Sequence, residues 1–176
     1  QGRLAGLFTQ TSLVQVLDKK VFPDGMTVAD LMSRKVWQAS PEMSARYALS
    51  QMARHAISGI LVVDEQRPMG FFTEKNVVRL VSSRQNLELC QVGDVPLGSA
   101  VGIAGSAHPI QAIHLMKKKS VRRLLVRNAD EAIVGVLTKT DLSRNLDCCR
   151  VPDGLPEMCI PLTASAVENC RAQIEL

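Results

Sequence analysis

Aromatic side chains are scarce, at 3% of 176 residues, with Trp37 the one tryptophan and Tyr47 the one tyrosine. The interior must therefore be aliphatic, and a 46% share of apolar residues is enough to build a substantial one. The scarcity also removes the stacking platforms that single-stranded nucleic acid needs, so the net charge of +4 and pI near 8.9 are weak grounds for a nucleic-acid partner. No apolar run approaches the roughly 18 residues of a bilayer span. No secretory signal is visible, in a chain that reads as cut from a longer one. The five cysteines are odd in number and match no metal-ligand spacing, and Cys148 and Cys149 are adjacent. They read as free thiols in a reducing cytoplasm, with a redox or metal role as the alternative.

Catalytic patterns are missing too. His55, His108 and His114 are not spaced like metal ligands, and no Ser-His-Asp or Cys-His arrangement shows locally. The stretch GSAVGIAG (Gly98–Gly105) lacks the lysine-serine ending of a phosphate loop. The expectation is that this stretch is not itself an enzyme, with any catalytic domain lying elsewhere in a longer protein.

What the chain does have is repetition. GLFTQTSLVQVL begins at Gly6, GFFTEKNVVRLV at Gly70 and GVLTKTDLSRNL at Gly135, at offsets of 64 and 65 residues. VADLM at Val28 faces VGDVP at Val92, ALSQM at Ala48 faces AIHLM at Ala112, and ILVVDE at Ile60 faces LLVRNA at Leu124. Several landmarks in one register define two whole units, 21–84 and 85–147, preceded at 1–20 by the closing strand and helix of a further unit. Residues 148–176 are unmatched. There Val167, Cys170 and Ile174 share a helical seam, which reads either as a linker helix to an output domain or as a segment folded back on the core.

Each unit reads as strand, helix, strand, strand, helix. In the first, Val36–Ala39 is a short strand, and Ser44 caps a helix whose inner face is Ala45, Ala48, Leu49, Met52, Ala53 and Ala56. Ile60–Val63 is an apolar run suited to a strand buried on both faces. Met69–Thr73 is a further strand, and Lys75–Val81 a second helix. In the second unit, Pro109 suits a first helical position and His108 takes the place of Ser44. A unit of about 64 residues buries too little surface to stand securely alone, so the two should pack sheet to sheet. The fold class expected is α+β with pseudo-two-fold symmetry.

Three features together resemble the cystathionine-β-synthase (CBS) domain family in its tandem form, the Bateman module. They are the P-x-x-S-h-x-x-A-h-x-x-M run from Pro41 to Met52 (h is apolar), the apolar strand after it, and the G-h-x-T-x-x-D phrase complete at Gly135, Thr138 and Asp141. The resemblance spans about Val28 to Leu146. It implies a cytoplasmic ligand-sensing, homodimerising attachment to an output domain, with AMP, ADP, ATP or S-adenosylmethionine as ligand. It implies that Asp141 holds the ribose hydroxyls, that Thr138 assists, and that basic residues ahead of the middle strand, here Arg122 and Arg123, meet phosphates. It also implies that the strand holding Gly102 and Ile103 helps to enclose the adenine.

The residue chemistry is compatible. A carboxylate accepts two hydrogen bonds, as a vicinal diol requires, and the backbone N–H groups of Thr138, Lys139, Thr140 and Asp141 are candidates to meet an anion. Equally, Asp141 reads as an ordinary helix N-cap. Register places Asn76 and Thr73 of the first unit opposite Asp141 and Thr138, and Ser58 and Gly59 opposite Arg122 and Arg123. The expectation is one working nucleotide site around Asp141, Thr138 and Arg123, with a weak or empty Asn76 pocket, and with His55 as a further candidate for phosphate contact. The lysines at Lys117–Lys119 read as a solvated helix end, with phosphate contact and nucleic acid as lesser readings. A purely structural dimerisation platform is the alternative function.

Overall fold

The computed structural model describes residues 22–145. The expected strand and helix of 1–20, the Cys148–Cys149 pair and the seam at Val167, Cys170 and Ile174 lie outside the described residues.

Two three-stranded sheets of the same design make up the frame. In the first, β1 (Gln38–Ala39) runs parallel to β2 (Gly59–Asp64), and β3 (Arg67–Thr73) antiparallel to it. In the second, β4 (Gly102–Ala104), β5 (Arg123–Arg127) and β6 (Ile133–Thr138) repeat that order. The apolar runs became the middle strands, as expected of strands covered on both faces: Ile60, Leu61 and Val62 are buried, and so are Leu124, Leu125 and Val126. Both ladders slip at matching places, Val62/Val63 and Val126/Arg127.

A parallel pair needs a crossover, and helices supply it. The short α1 (Val28–Leu31) opens the described chain, and α2 (Ala45–Arg54) links β1 to β2. The helix α3 (Glu74–Ser82) follows β3, α4 (Pro109–Lys118) links β4 to β5, and α5 (Lys139–Arg144) follows β6. Ser44 caps α2 by accepting from the Tyr47 N–H at 3.2 Å, and His108 caps α4 through Nδ1, accepting from the Ile110 N–H at 3.3 Å. Ala56 is not on the inner face of α2 but past its end. It adopts a φ of +50° and lets the Ile57 N–H reach back to the Met52 carbonyl, and Ser120 repeats this after α4.

The two halves exchange their opening segments. Val28 and Leu31 of α1, with Phe22 before them, pack into the core of the second half against Ile110, Ile113, Met116, Leu124, Leu137 and Leu142. In return Val92, Val95 and Leu97 join the first half's core beside Ala48, Met52, Ile60 and Phe72. Backbone bonds fix the exchange. Ser33 bridges to Val136 of β6, and Gly98 bridges to Phe71 of β3, each through a reciprocal pair of 2.7–3.0 Å hydrogen bonds. This close approach explains the glycine that opens the phrases at Gly70 and Gly135. A Cβ on Gly70 would lie 2.6 Å from the Gly98 carbonyl oxygen, and one on Gly135 would lie 2.8 Å from that of Ser33. Between the sheets, Leu61 and Phe71 meet Leu125 in a third apolar cluster.

Candidate functional site

The exchange brings the start of each half's second helix against the other half's linker. Two adjoining clefts result. The smaller, about 280 Å³, has Thr138, Thr140, Asp141 and Arg144 from the second half on one wall and Ser33, Lys35, Trp37 and Ala56–Gly59 from the first on the other. The larger, about 820 Å³, joins Thr73, Glu74 and Lys75 to Leu97–Ser99 and Lys119–Arg123. Ser58, Phe71, Arg123, Thr138 and Thr140 border both.

Asp141 is not an N-cap. The cap is Thr138, and Asp141 is the third helical residue, closing a capping box. Its Oδ2 accepts from the Thr138 N–H at 2.8 Å and from the Thr138 hydroxyl at 2.7 Å, and its own N–H donates to Thr138 Oγ1 at 3.2 Å. This box uses the N–H groups of Thr138 and Asp141, and the Lys139 N–H donates to the Arg122 carbonyl at 3.1 Å. Of the four N–H groups expected to meet an anion, three are thus occupied. The carboxylate itself keeps Oδ1, which accepts nothing among the described residues, and Asp141 lines the smaller cleft.

Asn76 closes the same box with Thr73 but has both ends of its amide engaged. Its Oδ1 accepts from the Thr73 N–H (3.0 Å) and hydroxyl (2.8 Å), and its Nδ2 donates to the Pro96 carbonyl at 2.7 Å. Asn76 is 8% exposed and lines neither cleft, although Thr73 faces the larger one.

Arg123 sits between the clefts and is half committed. Its Nη2 donates to the Ser58 carbonyl (3.2 Å) and hydroxyl (3.1 Å), and its guanidinium lies 5.2 Å from the Phe71 ring centre. Burial lowers its pKa, with Glu74 opposing and Arg122 adding to the shift. Arg122 and Lys139 face the larger cleft only, away from Asp141. Burial and the nearby Arg122 lower the Lys139 pKa.

Gly102, Ile103 and His55 do not reach the clefts. A Cβ on Gly102 would sit 3.0 Å from Arg127 Nε, and Ile103 packs against the second half's core. His55 stacks on Trp37 with ring centres 3.6 Å apart, so the indole stands where the imidazole was expected. Its pKa is lowered by burial first, then by Lys35 and Arg54. Trp37 and Lys35 are wall residues that sequence reasoning missed; Lys35 Nζ lies 4.2 Å from the indole centre. Arg144 had a signal, standing three residues after Asp141 on the same helix. Among the described residues no group of three or more His, Cys, Asp or Glu side chains is placed to hold a metal, and no helix is long and apolar enough to cross a membrane.

Known proteins show the same architecture. An uncharacterized protein of Methanopyrus kandleri is 25% identical over 119 residues, covering 66% of this chain and 61% of that one. The chain thus spans less than two thirds of that relative's length. The CBS domain protein PAE2072 from Pyrobaculum aerophilum, solved with AMP, superposes with a TM-score of 0.60 at 19% identity, covering 66% of this chain and 90% of that one. The CBS domain pair of protein MJ0100, solved with 5′-methylthioadenosine and S-adenosyl-L-methionine, gives 0.59 at 18% identity, covering 68% and 98%. The family model described as CBS domain matches twice, at 28–83 and 92–147, and the chain belongs to the CBS domain family as a tandem pair.

Proposed function

We propose that this CBS pair is a regulatory module whose smaller cleft binds an adenosine-containing ligand such as AMP, ADP, ATP or S-adenosylmethionine, and passes the binding event to an attached output domain. The observation that carries the reading is Asp141. One carboxylate oxygen is anchored by Thr138, which fixes the side chain, and the other takes no bond from the described residues. A ribose diol donates two hydrogen bonds, and charge-assisted bonds of this kind are roughly twice as strong as neutral ones. Trp37 and Phe71 supply apolar wall, while Lys35, Arg123 and Arg144 supply positive charge for a phosphate. The AMP carried by PAE2072 and the methylthioadenosine and S-adenosylmethionine carried by MJ0100 support the adenosine class.

Binding that bridges Asp141 of one half and Trp37 of the other favours whichever packing of the halves brings them together, and the size of the shift equals the ligand's preference for that packing. Calorimetric titration with AMP tests the site. Asp141→Ala is expected to weaken binding at least about tenfold, the equivalent of one charge-assisted hydrogen bond. Equal binding by the wild type and the variant overturns the ribose role.

A homodimerisation platform is the second reading, and one observation favours it. Tyr47 on α2 and Val78 and Val81 on α3 are each more than half exposed, an apolar face on the first half's helices. A dimer in sedimentation together with no thermal stabilisation by any adenosine ligand would favour the platform over the sensor.

A further inference from the structure

Among the described residues, Trp37 and His55 form the one face-to-face ring pair, with planes 20° from parallel. Main-chain bonds hold both members of it. The Trp37 carbonyl accepts from the Leu61 N–H at 3.0 Å, and the His55 N–H, closing α2, donates to the Gln51 carbonyl at 3.1 Å. Trp37 lines the smaller cleft, and so does Lys35, whose Nζ lies 4.2 Å from the indole centre. One indole therefore stands beside a titratable ring, a fixed cation and the interior of the cleft. Register places Ser99, Val101 and Lys119 where Lys35, Trp37 and His55 stand, so the second half has no counterpart.

His55 is balanced between its two protonation states. Burial disfavours the imidazolium, and so do Lys35, from the segment ahead of β1, and Arg54, on the same helix as His55. No carboxylate is among the charges acting on it. The carbonyl end of α2 and the face of the indole pull the other way. The rest of the cleft wall carries Arg123 and Arg144 as cations and Asp141 as an anion. Lys35 belongs to both settings, since it acts on His55 and also faces the cleft. An anion that enters the cleft and pairs with Lys35 offsets a charge that repels a proton from His55. Linkage is reciprocal, so a proton on His55 must in turn favour the anion.

We propose that the Trp37–His55 stack and Lys35 make binding at the smaller cleft proton-linked: an anionic ligand is held more tightly when His55 is protonated, and its arrival draws a proton onto His55. This rests on the smaller cleft being a ligand site, and it makes the module answer to acidity as well as to ligand. A neutral ligand in the same cleft leaves Lys35 unpaired and gains nothing from the proton.

The test follows Trp37 emission of the full chain between about pH 4 and pH 8, without ligand and saturated with AMP or adenosine. Trp37 is the sole tryptophan, and an imidazolium stacked on it quenches its emission. Calorimetry sets the saturating concentrations, and thermal melts confirm that His55→Gln and Lys35→Gln are folded. AMP takes up a proton of its own near about pH 6, so the midpoint of the indole signal is the readout and not affinity alone. AMP is expected to raise that midpoint by about half a pH unit, which corresponds to about threefold tighter binding below the transition than above it. Adenosine should not raise it. His55→Gln should abolish the transition. Lys35→Gln should raise the midpoint of the free protein and shrink the further rise caused by AMP. A midpoint unmoved by bound AMP overturns the proposal, as does an equal rise with adenosine, a transition that survives in His55→Gln, or an undiminished AMP effect in Lys35→Gln. Absence of AMP binding at every pH removes the ligand role of the cleft and the linkage with it, whereas binding with an unmoved midpoint removes the linkage alone.

Discussion

Arg123 occupies the space that a side chain on Gly59 would fill. The two residues are 64 positions apart and hold the same place in their respective repeats. One repeat keeps a large cation there because the other keeps nothing. The guanidinium then reaches Ser58 and lies over Phe71, joining the halves at the border of both clefts.

Gly59→Ala should therefore destabilise the protein by about 1–3 kcal/mol, as overpacking of a filled site does. Arg123 can swing away, but the Phe72 carbonyl oxygen, 2.9 Å from the new methyl, is backbone and cannot. In urea titrations of a double-mutant cycle, Arg123→Ala should recover part of the loss and leave the remainder that Phe72 imposes. Full additivity would show that the two residues do not share this space.

Asn76 and Asp141 should separate stability from binding. Asn76→Ala removes the tie to Pro96 and leaves buried groups unpaired, a cost of about 1–3 kcal/mol in thermal or urea unfolding. Asp141→Asn keeps an acceptor for Thr138 and loses mainly the favourable charge at a helix start, about 0.3–1 kcal/mol. Of the two, Asp141→Asn is the one expected to weaken AMP in calorimetry.

Phe22 lies before either family match, yet it is 2% exposed within the second half's core. Phe22→Ala should cost about 3–5 kcal/mol, the range for a buried aromatic. Proton signals of Leu137 and Leu142, its partners in that cluster, should shift in the variant, while those of Ile60 and Phe72 stay in place.

His55 should titrate below the ordinary histidine value in an NMR pH series, because burial against Trp37 and the charges of Lys35 and Arg54 disfavour the imidazolium. The fold thus prefers neutral His55. This contribution is present above the unfolded histidine pKa and is lost as pH falls through the lower folded one. Lys35→Gln should move the titration upward, with the larger effect of burial remaining. Trp37, the sole tryptophan, gives a fluorescence signal at the same stack and should respond to any ligand entering the smaller cleft.

The repeat made the strands and helices legible because apolar runs and capping residues are local signals. Ile60–Val63, Lys75–Val81 and Pro109 all fell in the elements expected of them. The exchange of opening segments was not legible. Val28 and Val92 have the same apolar partners available in either half, so periodicity cannot say which half each one joins. Asp141 was legible through its phrase. Arg123 was legible as a donor, but its engagement with Ser58 depends on a contact between residues 65 apart. Trp37 carried no signal, since its register partner is Val101, an ordinary apolar residue.

The crossed placement of 22–35 and 87–97 has a consequence for how the protein can be divided. A cut between the repeats does not release two self-sufficient pieces. Each fragment would carry away part of its neighbour's interior and lack part of its own. The pair is therefore a single cooperative object despite its doubled plan, and mixing the separated fragments is expected to restore the closed cores that neither has alone.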